Sequence, residues 1–135
     1  MKTVLFVCVG NSGRSQMAEA FLNHYAEGKA KALSAGTNPA ADVEPTVVKA
    51  MKEVGIDISG NKPKPLIPEM IDQANLVITM GCGAEAACPA SWIETRGWGL
   101  EDPKDKPIEK VREIRDEIKA RVTRLLEEIK AGEQD

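Results

Sequence analysis

The chain has 135 residues, enough for one domain with a real core and too few for two. Its 21 acidic against 18 basic side chains leave a net charge of −3, which argues against nucleic acid as a partner, since that role needs a basic surface. No apolar run approaches the ~20 residues of a membrane span, and Met1-Lys2 leads straight into a strand with no leader, so no membrane is expected and the expected location is cytoplasmic.

Taken in chain order, strand and helix signals alternate. Thr3–Val7 is a short apolar run of the buried-strand type, and Ser15–Leu22 has helical composition. Ala30–Ala35 is a weaker strand signal ending in the turn Gly36-Thr37-Asn38-Pro39. Pro45 opens a helix through Val54, with Val47, Val48, Met51 and Val54 on one face and Gly55 closing it. Ile56–Pro68 holds three prolines and reads as loop, Glu69–Ala74 as a short helix, and Leu76–Met80 as a second buried strand. Gly81–Pro107 is rich in Gly, Pro and Cys, with a short strand expected around Trp98; connections this long are often functional. From Ile108 to Lys130 the residues Val111, Ile114, Ile118, Val122, Leu125 and Ile129 recur at helical spacing. This alternation implies an α/β fold with a parallel sheet covered on both faces, whose ligands bind beyond the carboxyl ends of the strands.

The most informative segment joins the first strand to the first helix: Cys8-Val9-Gly10-Asn11-Ser12-Gly13-Arg14-Ser15. Unpaired N–H groups and the positive end of the helix dipole converge at such a turn, so the residues Val9 to Ser15 form a candidate oxyanion-binding loop. The same field favours a thiolate at Cys8. Arg14 offers a planar fork for two oxygens of the anion. The pattern is that of a nucleophile aimed at an oxyanion.

Two further clusters lie downstream. Cys82 and Cys88 sit in the small-residue stretch Gly81–Pro89, and three cysteines in a chain without a leader point to a reducing compartment. The pair is open to three readings: a metal site, which needs about four ligands where the chain offers three cysteines and His24; thiols that merely pack; or a pair that makes and breaks a disulfide. Parallel neighbouring strands would bring Cys82, just after the Leu76–Met80 strand, to the same sheet edge as Cys8. In Glu101-Asp102-Pro103, Asp102 is a candidate general acid, with Glu101 as the adjacent alternative. The pairs Lys62/Lys64 and Lys104/Lys106 read as solvated loop positions, and His24, Trp92 and Trp98 as packing residues.

Cys8–Ser15 with Asp102-Pro103 far downstream resembles the low-molecular-weight protein tyrosine phosphatases. Cys82, Cys88-Pro89, Trp98–Pro103 and the run Asn11–Glu19 make the chain more similar to the thioredoxin-coupled arsenate reductases built on that fold. The resemblance covers nearly the whole chain. It implies a three-layer α/β sandwich with a central four-stranded parallel sheet, a single catalytic domain over residues 1–135, and no cofactor. It also implies arsenate as substrate and a relay of three thiols. In that relay Cys8 attacks arsenate held by Arg14 and the loop amides while Asp102 protonates the departing hydroxide; Cys82 then takes over the bond to Cys8, and Cys88 the bond to Cys82. Thioredoxin or another thiol reductant would restore the pair. Relatives also bind potassium near the loop; Asn11, Glu19 and Ser34 match its ligands, while the acidic residue expected around Asn61–Pro65 is absent. Two other readings stand beside the relay: a phosphatase, which needs Cys8, Arg14 and Asp102 but no second thiol, and a non-enzymatic oxyanion-binding or redox-sensing module.

Overall fold

The computed structural model describes residues 2–80 and 94–133. Along the chain run β1 (Lys2–Cys8), α1 (Arg14–Tyr25), β2 (Ala30–Gly36), α2 (Pro45–Glu53), α3 (Pro68–Gln73), β3 (Leu76–Thr79), β4 (Glu94–Gly97) and α4 (Ile108–Glu133). The four strands form one parallel sheet in the order β2-β1-β3-β4. β1 lies inside the sheet and is covered on both faces, which is why Val4, Leu5, Phe6 and Val7 are apolar without alternation and have no exposed surface.

The pleat divides the core in two. Val4, Phe6 and Cys8 face one side, where they pack with residues of α1, α2 and α4; Leu5 and Val7 face the other, against Val77, Ala35, Leu66 and the α3 residues Met70 and Ile71. Three layers result, as the alternation of elements implies. The six apolar positions read on α4 are all buried. No helix among the described residues is long and apolar enough to cross a membrane.

Most elements fall where the sequence puts them, within a residue or two at their ends. The last strand departs from its reading around Trp98: β4 stops at Gly97. Trp98 donates its N–H to the Thr79 carbonyl at 2.7 Å and turns its ring onto Phe6, with centroids 5.8 Å apart. The segment 56–67 is loop apart from one bridge between Pro65 and Gly36, and Pro68, read from the sequence as the end of that loop, instead opens α3.

The strand order positions the site. From β1 the chain crosses to β2 on one side and later returns to β3 on the other, so the direction of winding reverses beside β1. In open α/β sheets the crevice at such a reversal is where ligands bind. Cys8 is the last residue of β1 and lies at that crevice.

Two contacts hold the framework around it. Gly36, at the end of β2, packs against the turn that follows β1 so closely that a Cβ there would stand 2.5 Å from the Val9 carbonyl oxygen. On the far side Glu53, at the end of α2, receives both nitrogens of an Arg112 fork, at 3.0 and 2.7 Å, and Arg115 Nη1 at 3.0 Å, which clamps α2 to α4. The hydrogen bonds from Arg112, its charge, and Arg115 together pull the Glu53 carboxyl from an ordinary 4.5 down to about 2.

Gly36→Ala should lower stability in urea unfolding by about 1–3 kcal/mol, the usual cost of overpacking, whereas Gly60→Ala, which meets nothing within 4 Å, should not. For Glu53 the folded carboxyl is the stronger acid, so its contribution is present above its ordinary value and is lost as pH falls toward about 2. The melting temperature of Glu53→Gln should therefore lie below that of the wild type at neutral pH, and the gap should close between pH 4.5 and about 2; a gap that persists at the acid end would contradict this.

Candidate active site

The loop between β1 and α1 owes its shape to hydrogen bonds made behind it. The carbonyls of Cys8, Val9, Gly10 and Ser12 accept from the N–H groups of Thr37, Asn38, Ala40 and Glu44, at 2.9–3.1 Å. Among the described residues the N–H groups of Val9 to Gly13 have no partner, and no side chain caps α1 at Gly13. With its carbonyls engaged outward, the loop turns its amides toward a pocket of about 280 Å³. A run of unpaired N–H groups at a helix N-terminus is an anion-binding concavity.

Cys8 lies at the base of this pocket, 2% exposed. Its Sγ is 2.8 Å from Ser15 Oγ, which accepts from Asn11 Nδ2 at 2.7 Å. Because Asn11 occupies a lone pair of that hydroxyl, the single Ser15 proton is free to point at the sulfur. Asn11 has φ +49°, in the left-handed region that asparagine tolerates better than most residues, and this bend brings its side chain behind the loop. Its Oδ1 accepts from Gln16 Nε2 at 3.1 Å and from the Lys64 N–H at 2.8 Å, and Gln16 is tied in turn to the Lys62 carbonyl and to Asn61. A polar network whose centre, Asn11, Ser15 and Gln16, is fully buried thus fixes the sulfur from behind the pocket.

Arg14 is buried at the mouth of the same loop. Its Nη1 donates to the Leu100 carbonyl at 3.0 Å, and Nη2 lies 3.6 Å from Asp102 Oδ2. Asp102 is held by the Lys104 N–H on Oδ1 at 3.0 Å, and Pro103 seats against Gly13, where a Cβ would approach its Cγ to 2.7 Å. The downstream carboxylate therefore reaches the loop 88 residues earlier in sequence by direct packing. Glu101 points elsewhere, to Lys106 and Lys110 at 3.5 Å each.

Of the residues singled out from the sequence, Cys8, Val9, Gly10, Ser12, Gly13, Arg14 and Asp102 share the pocket, and Asn11 and Ser15 stand behind it. Cys82 and Cys88 lie outside the described residues, as does Trp92. His24 stacks edge-on to Tyr25, away from the loop. Glu19 and Ser34, the other residues named for potassium, lie under the loop. Burial pushes the Glu19 carboxyl up from its ordinary range, while Lys64, 3.7 Å from its Oε1, draws it back. The sequence reading missed Glu44 and Lys104, which line the pocket, and Gln16, which is fully buried beneath it. A local signal for Gln16 existed: a large amide in the helical run that also carries Met17, Phe21 and Leu22 needs buried partners.

Comparison with known proteins agrees with this geometry. The family model described as low molecular weight phosphotyrosine protein phosphatase matches residues 3–135. An arsenate reductase of Brevibacillus brevis is 39% identical over 128 residues, covering 93% of this chain and 95% of that protein. The solved thioredoxin-dependent arsenate reductase of Corynebacterium glutamicum is 40% identical with a TM-score of 0.85 over 98% of this chain, which spans 63% of that longer one. An arginine phosphatase of Geobacillus stearothermophilus superposes with a TM-score of 0.90 at 28% identity, over 99% of this chain and 96% of that one. By sequence, by fold and by the cysteine-containing loop after β1, the chain belongs to the low molecular weight phosphotyrosine protein phosphatase family.

Proposed function

We propose that this chain reduces arsenate to arsenite with its own cysteines and is restored by a thiol reductant such as thioredoxin. The observation that carries the reading is the pocket itself: a buried sulfur under a run of amides unpaired among the described residues, with an arginine fork and, 3.6 Å from it, a carboxylate at the same pocket. The arsenate reductases among its relatives make arsenate the favoured oxyanion.

A tetrahedral arsenate binds with its oxygens on the amides of Val9, Gly10, Ser12 and Gly13 and on Arg14, which faces it without the hydration shell that would weaken the contact. The Cys8 thiolate attacks arsenic, and hydroxide leaves as water with a proton from Asp102. Cys82 then attacks the Cys8 sulfur. The pair of electrons in the sulfur–arsenic bond stays on arsenic, which departs as arsenite, and a Cys8–Cys82 disulfide remains. Cys88 attacks Cys82 in turn, freeing Cys8 and leaving a Cys82–Cys88 disulfide. Two thiols are oxidised and arsenic gains two electrons, so one dithiol reductant is consumed per turnover. The sheet supports the first transfer: β3 lies beside β1, the Met80 N–H donates to the Val7 carbonyl at 2.8 Å, and Cys82 is two residues further along the chain.

The same pocket would accept a phosphoester, and the likeness to an arginine phosphatase keeps that chemistry as the second reading. It uses Cys8, Arg14 and Asp102 and leaves Cys82 and Cys88 without a task.

Single-turnover arsenite release separates the two. With pre-reduced protein and no external thiol, the wild type should release one arsenite per chain and retain a Cys82–Cys88 disulfide. Cys88→Ser should also release one but stop at Cys8–Cys82, and Cys82→Ser should release none, with the disulfides read by mass spectrometry after alkylation. Arsenite release that is indifferent to both substitutions would overturn the relay.

A further inference from the structure

Glu19 is a largely but not fully buried carboxylate that the loop chemistry does not use, with 15% of its side chain exposed. Its partner is Lys64 Nζ at 3.7 Å. The Lys64 backbone is fastened on both sides: its N–H donates to Asn11 Oδ1, and its carbonyl accepts from the Gly36 N–H, each at 2.8 Å. The ammonium therefore reaches Glu19 from a fixed base. Ser34 completes the surroundings. Its Oγ is buried and makes no hydrogen bond of good geometry, although the residue lies near enough to favour the charged form of Glu19.

The three residues that the resemblance offers to a potassium ion do not fit one here. Asn11 Oδ1 already accepts two hydrogen bonds, from Gln16 Nε2 and the Lys64 N–H, which fills its two lone pairs. Glu19 already faces an ammonium, and a second cation beside it would meet like charge. Ser34 Oγ alone is open. A buried carboxylate must be paired or coordinate a metal, and this one is paired.

We propose that Lys64 is a tethered cation: its ammonium occupies the place beside Glu19, beneath the oxyanion loop, that a bound monovalent ion would otherwise fill, so the protein has no need of potassium. Lys64 thereby acts as a positioning residue. Its side chain anchors α1 through Glu19, while its backbone holds Asn11, which holds Ser15 against Cys8. The inference stands on packing under the loop and is independent of which oxyanion the loop takes.

The test is thermal unfolding in choline chloride, with potassium chloride substituted at constant ionic strength. The wild type should melt at one temperature in both salts. Lys64→Met, which keeps the length and removes the charge, should lose roughly 5–10 °C in choline chloride through its uncompensated carboxylate, and potassium should restore part of that loss. The double variant Glu19→Gln/Lys64→Met should melt near the wild type in either salt. It also decides the matter if Lys64→Met alone does not fold, because the proposal requires the double variant to fold without any added cation. A wild type stabilised by potassium, a Lys64→Met protein that loses nothing or is untouched by potassium, or a double variant as unstable as the single one would each overturn the proposal.

Discussion

Four carbonyls of the loop after β1 each accept a hydrogen bond from the segment 37–44, and a peptide plane held by its oxygen on one side presents its N–H on the other. The character of the site follows from that constraint. The amides that face the pocket are not held there by a ligand; they are oriented by the chain itself before any oxyanion arrives. Such preorganisation is what makes backbone donors effective, since nothing has to reorient as negative charge develops. It also explains why a glycine ends β2. The segment lies close enough to bond the loop only because Gly36 leaves room for the Val9 carbonyl.

Cys8 and Arg14 then enter this frame from opposite ends, one from the end of a buried strand and one from the first turn of a helix. They are secured differently. The sulfur is fixed by a short chain of buried hydrogen bonds through Ser15, Asn11 and Gln16, each with its capacity nearly filled. The guanidinium is buried and anchored through Nη1 to the Leu100 carbonyl at 3.0 Å, and only its Nη2 side is held loosely. Its 3.6 Å contact with Asp102 involves a carboxylate that is 57% exposed, and ion pairs of that kind contribute little to stability. An incoming oxyanion competes easily for that fork. The nucleophile is rigid and the clamp is exchangeable, which suits a site that must bind and release an anion in every turnover.

Much of this was legible in the sequence because the signals are local. A continuous apolar run, small residues and then an arginine at a helix start describe strand, loop and helix within fifteen residues, and the periodicity of α4 is strong enough to survive its polar surroundings. The features that escaped reading depend on distant partners. Lys64 reads as one of a solvated pair, and Lys62 is such a residue, ion-paired to Asp42 on the surface. Only the folding of residues 61–65 against Asn11 and Gly36 turns Lys64 inward toward Glu19. The strand expected around Trp98 is present but ends one residue before it, for a related reason. An edge strand of sequence Glu94-Thr95-Arg96-Gly97 carries no apolar alternation, and the apolar signal begins only at the tryptophan that follows it. The choice between Glu101 and Asp102 likewise required the packing of Pro103 on Gly13.

On the function proposed above, this pocket delivers arsenate, rather than a phosphoester, to a thiol relay. The measurement that tests it most directly is oxidation of NADPH by purified protein with thioredoxin and thioredoxin reductase, with and without arsenate, beside hydrolysis of p-nitrophenyl phosphate. With thioredoxin present, NADPH consumption should continue for many turnovers and depend on arsenate. Brisk hydrolysis of the phosphoester with no arsenate-dependent consumption of NADPH would contradict it.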